Sequence, residues 1–169
     1  RVAAAIRAAL TRRRDPDKLR ADAAALRGRI ARDLAPFGPL DVKYREGGLL
    51  ELEFVAQVLQ LIHAPDNLSV LATGTVEALD RLAAAGVLAE AEHAALMRAS
   101  RLYRTVQGLL RLTIGKPRAE ADLPRPVADA IARAAGVVDL AQVTAQISAC
   151  AAEVRAAFLR HVGQPTAAQ

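Results

Sequence analysis

The sequence has no tryptophan, one cysteine and only 3% aromatic residues. With a single thiol no internal disulfide can form, and the pattern suits a reducing compartment. Sparse aromatics leave little to stack on bases, so nucleic acid is not an expected partner. No apolar run approaches the ~20 residues a membrane span needs, and no signal-peptide pattern opens the chain. No membrane association and a cytoplasmic location are therefore expected. Also missing are a phosphate-cradling glycine loop of the Walker type and a closely spaced pair of aspartates to hold two metal ions. His63, His93 and His161 lie far apart without ligand spacing. Ser69, Ser100 and Ser148 occupy no nucleophile elbow. Cys150 shares an apolar stripe with Val143, Ile147 and Val154 and is expected to be a core thiol. No metal site and no complete active site are expected on this chain.

What is present is helix-forming. Alanine and leucine dominate the 169 residues, with 10 Gly and 8 Pro, a composition that favours helices and suffices for one core. The chain opens without Met inside an Ala-rich helical pattern and is expected to be part of a longer protein. The net charge of +5 permits binding to nucleotide, nucleic acid or an acidic protein face, and equally describes a solvated surface.

The spacing predicts seven helical segments. Val2, Ile6, Ala9 and Leu10 mark a short first helix before Arg12-Arg13-Arg14. Asp15-Pro16 starts the second, a cap followed by Pro where its missing N–H costs nothing. That helix runs to about Leu34 with Leu19, Ala23, Leu26 and Ile30 buried and Arg20, Arg27 and Arg32 pointing elsewhere. Residues 40–46 have room for a short extended piece. After the third helix, Asp66 to Ala72 reads as a turn. Thr73 or Thr75 is expected to cap a fourth helix using Val76, Leu79 and Leu82, closed by Gly86. Glu90 to Thr113 is the longest, with Leu96, Ala99, Tyr103, Val106 and Leu110 at spacings of three and four. Pro126 opens a sixth helix closed by Gly136. Asp139 with Gln142 begins a seventh, in the manner of a capping box, ending at Gly163. The fold class is all-α, an antiparallel helical bundle of about six to seven helices, one domain over residues 1–163 with a disordered tail at 164–169.

One stretch organises the rest. Asp41 to Ile62, DVKYREGGLLELEFVAQVLQLI, begins as a charged loop, turns on Gly47-Gly48 and becomes a helix. On a wheel of about 100° per residue only Glu53, Gln57 and Gln60 form a polar stripe. A helix apolar almost all round belongs in the middle of a bundle. Yet Glu51 lies among Val55, Val58 and Ile62, and Glu53 projects elsewhere. Two readings stand side by side. The acids can take a hydroxyl proton, orient a Lys or Arg, or reach a metal held by another domain. They can equally stabilise the helix dipole and pair with nearby arginines. Lys43, Arg45 and the free N–H groups of the helix start suit a phosphate or other anion. Arg104 and Arg111, with Gln107 between, give the fifth helix a polar edge: a binding edge, a solvated face, or partners of Glu51 or Glu53.

DVKYREGGLLELEFVAQ resembles the segment that follows the nucleotidyltransferase core in glutamine synthetase adenylyltransferases, whose pattern is D-[LIV]-K-x-x-x-G-G-[LIM]-x-[DE]-[IVL]-E-F-x-x-Q. Asp41, Lys43, Gly47, Gly48, Glu51, Glu53, Phe54 and Gln57 match it. Ala78-Leu79, Leu82, Ala85-Gly86 and Leu88, then Leu102-Tyr103-Arg104 and Leu110-Arg111-Leu112, extend the likeness over most of the chain. The resemblance implies a helical domain beside a core that uses ATP and Mg²⁺, with no cofactor bound by this chain alone. It implies glutamine synthetase, the PII signal protein and the chain's own core as partners. The ending and the Gly38-Pro39 pair resemble the C-terminal, adenylylating half. It implies further that Glu51 and Glu53 support catalysis, and that Lys43, Arg45, Gly47, Gly48, Arg104 and Arg111 face the substrate. The helical segment of PII uridylyltransferases is similar, and a non-catalytic module binding PII or glutamine synthetase is the reading from a different class.

Overall fold

The computed structural model describes residues 2–115 and 123–165. The elements are α1 (Val2–Leu10), α2 (Pro16–Asp33), α3 (Leu49–His63), a 3₁₀ turn (Leu68–Val70), α4 (Thr75–Ala84), α5 (Glu90–Thr113), α6 (Arg125–Ala135) and α7 (Leu140–His161). The described residues contain no strand, so the fold is all-α, and residues 40–46 form turns rather than an extended piece. Of the tail expected to be disordered, residues 166–169 lie outside the described residues, as does 116–122 of the proline-containing loop before α6.

Local chemistry sets the boundaries. Asp15 caps α2, its Oδ1 accepting from the N–H groups of Asp17 and Lys18. Asn67 caps the 3₁₀ turn through Ser69 N–H. Asp139 caps α7 by accepting from Gln142 N–H at 2.8 Å, while Gln142 Oε1 accepts from Val138 N–H, one residue ahead of the position a capping box uses. The α4 cap differs from expectation: Gly74 holds that position with no side-chain bond, and Thr75 is the first helical residue. Gly86, Gly136 and Gly163 follow α4, α6 and α7 with positive φ, as the sequence predicts.

The core is continuous from α2 to α7. Its axis is α3, which packs against α2, α4, α5, α7 and the 3₁₀ turn; nine of its fifteen residues are buried. Phe54 meets Phe158 of α7 edge-on, the ring centroids 6.3 Å apart, a favoured aromatic geometry. The polar stripe of α3 divides: Gln57 is exposed, Glu53 half-buried, and Gln60 buried, its Oε1 accepting from Ala72 N–H at 2.7 Å. On α5, Leu96, Ala99, Tyr103 and Val106 are buried and Leu110 half-buried.

The orientation of α2 keeps part of the expected face, with Ala23 buried and Ile30 packed against the core, and departs from it at Leu26 and Arg27. Arg27 is 2% exposed and Leu26 40%. The buried face is Ala23, Ala24, Arg27 and Gly28. Small residues let α2 come close to its neighbour, and the long Arg27 side chain reaches across the gap to a partner. A second correction concerns Cys150, which is half-buried rather than a core thiol. Burial, and then the carboxylate of Glu153, push its thiol pKa up, with Arg98 pulling the other way.

Candidate functional site

Asp41 begins the site by folding the loop over itself. Its Oδ2 accepts from Phe37 N–H at 3.2 Å, and its Oδ1 from the N–H groups of Lys43 at 3.1 Å and Tyr44 at 3.5 Å. The chain then doubles back onto the start of α3. Leu49 N–H donates to Val42 O at 2.8 Å, Leu50 N–H to Lys43 O at 3.2 Å, and Gly48 N–H to Arg45 O at 3.0 Å. Three N–H groups at the helix entrance are thereby satisfied inside the chain, so the α3 start is turned onto its own loop.

Both glycines are there for space. At Gly47, φ is +68°, and a Cβ would sit 1.9 Å from the backbone oxygen of Ala151 on α7. At Gly48 a Cβ would sit 2.5 Å from Val42 O. No side chain fits either position without moving backbone.

Glu51 closes the arrangement. It is fully buried. Its Oε1 accepts from Arg27 Nε at 2.9 Å and from Arg155 Nη1 at 2.7 Å, and its Oε2 from Gly47 N–H at 2.9 Å. Arg27 Nη2 donates to Tyr44 O at 3.1 Å. Arg155 also reaches Glu46 at 3.3 Å and lies over the Phe158 ring, 5.6 Å from its centroid. From α5, the Tyr103 hydroxyl donates to Gly47 O at 2.9 Å. Desolvation raises the Tyr103 phenol well above its ordinary pKa of 10.0; Cys150, Glu153 and, least, Glu51 add to that rise, and Arg45 pulls the other way. One carboxylate thus ties α2, α3, α7 and the loop together, with α5 bonded to the same glycine. A buried charge needs this degree of pairing.

The remaining predicted residues separate from Glu51. Glu53 is half-buried and makes no ion pair among the described residues. Lys43 is half-buried with its ammonium 4.8 Å from the centroid of the Tyr44 ring. Arg45 donates to Pro39 O at 3.0 Å, and its Nε is buried without a partner among the described residues. Arg104 and Arg111 are exposed. Arg104 donates to Ser100 Oγ at 3.3 Å, and neither arginine pairs with Glu51, whose partners are Arg27 and Arg155. Lys43 and Arg111 both line a cavity of about 270 Å³ between residues 37–44 and the C-terminal part of α5. Arg27, Arg155 and Tyr103 were not among the expected site residues. The signal for Arg27 was present as the Ala23-Ala24 and Gly28 neighbours that mark a close helix contact. Arg155 carried no such mark beyond its place between Val154 and Phe158. No group of three or more His, Cys, Asp or Glu side chains comes together as a metal site among the described residues.

Comparison with known proteins bears on what the clamp belongs to. A family model described as GlnD PII-uridylyltransferase matches residues 12–161. The chain belongs to that family. It is similar, at 38% identity over 162 residues, to the bifunctional glutamine synthetase adenylyltransferase/adenylyl-removing enzyme of Bradyrhizobium diazoefficiens, covering 94% of this chain and 16% of that protein. A protein of the same name from Rhodopseudomonas palustris strain BisB5 is 37% identical over 171 residues, covering 99% of this chain and 17% of the relative. One from Xanthobacter autotrophicus is 31% identical over 147 residues, covering 87% and 15%. The chain thus spans about one sixth of the length of these curated relatives. The likeness read from the Asp41–Gln57 stretch extends to nearly the whole chain.

Proposed function

We propose that this chain is the helical domain beside the nucleotidyltransferase core of a glutamine synthetase adenylyltransferase/adenylyl-removing enzyme, in its C-terminal, adenylylating half. Residues 41–48 and the start of α3 form one wall of the cleft where AMP passes from ATP to a tyrosine of glutamine synthetase. The core, with its ATP and Mg²⁺, supplies the transfer chemistry. The chain alone is inactive; it binds and orients, and offers a docking surface for glutamine synthetase and PII. The enzyme works in the cytoplasm.

The observation that carries this reading is the division between the two acids. Glu51 is sealed inside, with both oxygens bonded to Arg27, Arg155 and Gly47. A carboxylate so committed positions other groups rather than accepting a substrate proton. Glu53 and Lys43, from the same motif, keep part of their surface open to solvent. The loop between them is held from α2, α5 and α7, the rigid support that a substrate-facing edge requires.

Glu53→Gln and Lys43→Gln, introduced singly into the full-length enzyme, test this. Glu53→Gln is expected to lower kcat for AMP transfer, and Lys43→Gln to raise KM for ATP, each with an unchanged melting temperature. Wild-type kinetics in both variants would remove the cleft-wall role. The family model's own description favours a second reading, the helical domain of a PII uridylyltransferase. UMP transfer to PII by the full-length protein, without AMP transfer to glutamine synthetase, would establish that alternative.

A further inference from the structure

The protein has five aromatic residues. Tyr103 and Phe158 are fully buried and Phe54 is 9% exposed. The other two, Phe37 and Tyr44, both line the cavity of about 270 Å³ that Lys43 and Arg111 share. Phe37 is 64% exposed, so most of its ring is open at the cavity mouth. The remaining wall includes Gln107 and Leu110 of α5. The cavity, at about 270 Å³, falls just below the size range of small-molecule sites, roughly 300–1,000 Å³, and is open on one side.

From this juxtaposition of two ring faces with two cations, we propose that the cavity between residues 37–44 and the C-terminal part of α5 is a binding site for a mononucleotide. The base stacks against Phe37 and Tyr44, and Lys43 and Arg111 take the phosphate. Stacking tolerates any base because every base has a π-face. Arg111, exposed and without an ion pair among the described residues, brings a guanidinium suited to two phosphate oxygens at once. Lys43 adds an ammonium, 4.8 Å from the centroid of the Tyr44 ring.

The one acid in the lining does not oppose this. Both oxygens of Asp41 are turned to the backbone N–H groups of Phe37, Lys43 and Tyr44. Those bonds spread its charge over the loop and fix the backbone of the two aromatic residues and the lysine. The loop backbone is therefore ordered before a ligand arrives, which lowers the backbone share of the ordering cost of binding. Gln107, an amide with both donor and acceptor atoms, stands in the wall where a base edge or ribose hydroxyl needs a partner.

This deepens the cleft-wall reading by naming the ligand that the wall itself holds. It is tested on the 169-residue chain without any core, so its outcome is separate from that of the transfer assay. Titration calorimetry with AMP, adenosine and inorganic triphosphate is run on the wild type, Phe37→Ala and Arg111→Gln, each first shown by circular dichroism to melt like the wild type. AMP is expected to bind the wild type, with adenosine and triphosphate each weaker. Both variants are expected to lose about tenfold in AMP affinity, the scale of one stacking or one charge-assisted contact. Triphosphate binding as tight as AMP, unaffected by Phe37→Ala, would reduce the site to a bare cationic patch and overturn the proposal. No heat from millimolar AMP would overturn it outright.

Discussion

Replacing Glu51 by Gln is the most informative single perturbation of this fold. The amide fills the same volume, so no cavity opens and the loss is electrostatic. The wild-type carboxylate accepts three bonds, from Arg27 Nε at 2.9 Å, Arg155 Nη1 at 2.7 Å and Gly47 N–H at 2.9 Å. Glutamine offers one oxygen, and its NH₂ must face either the arginines or Gly47 N–H, donor against donor. The larger effect is on Arg27, whose side chain is 2% exposed. Arg155 is 20% exposed and keeps Glu46; Arg27 has no second acid among the described residues. Breaking a buried pair from one side costs about 3–5 kcal/mol, a large share of the roughly 5–15 kcal/mol that holds a typical domain together. For a chain of this size that is a fall in melting temperature of roughly 6–20 °C. Urea unfolding monitored by circular dichroism measures it, and the loss should persist in high salt because the pair is shielded from counterions. The double variant Arg27→Met/Glu51→Gln should recover part of the loss, since it removes the stranded charge together with its partner. A Glu51→Gln protein melting within about 2 °C of the wild type, below the shift expected for 1 kcal/mol, would refute the clamp as the tie between the loop and the bundle.

Two further outcomes follow from the shifted groups. Tyr103 has a folded pKa raised above its ordinary 10.0 by burial. Its contribution to stability is complete below pH 10 and declines as pH rises from there toward the folded value, by up to about 1.4 kcal/mol per pH unit; a Tyr103→Phe variant should lose that part of the alkaline slope in urea unfolding. Cys150, held up by burial and Glu153, should alkylate more slowly at pH 8 than a free thiol. Glu153→Gln should speed it, and a rate unchanged by that variant would show that Glu153 has no hold on the thiolate.

Much of the architecture was legible because it is local. Helix starts at Asp15-Pro16 and Asp139 follow from side chains bonding backbone a few residues away. The near-complete apolar wrap of α3 announced a central helix. The buried face of α2 was misread at Leu26 and Arg27 because wheel reasoning assigns leucines inward, whereas Ala23, Ala24 and Gly28 made the close contact and left Leu26 outside. Thr75 was misread because a hydroxyl near a helix start is a capping candidate only if the turn brings it to the N–H groups, and here Gly74 takes the position.

The candidate site divides in the same way. The spacing from Asp41 to Gln57 by itself determined that a glycine pair would meet a helix bearing two acids, because those relations lie within a few residues. Only the tertiary structure decided which acid is sealed in. Arg27 stands 24 positions before Glu51 and Arg155 stands 104 after it. Whether a carboxylate meets cations, a backbone N–H or water depends on which helices pack around it. The small neighbours of Arg27 mark a close helix contact, but which carboxylate that contact meets is set by the packing of several helices and is written in no single one of them.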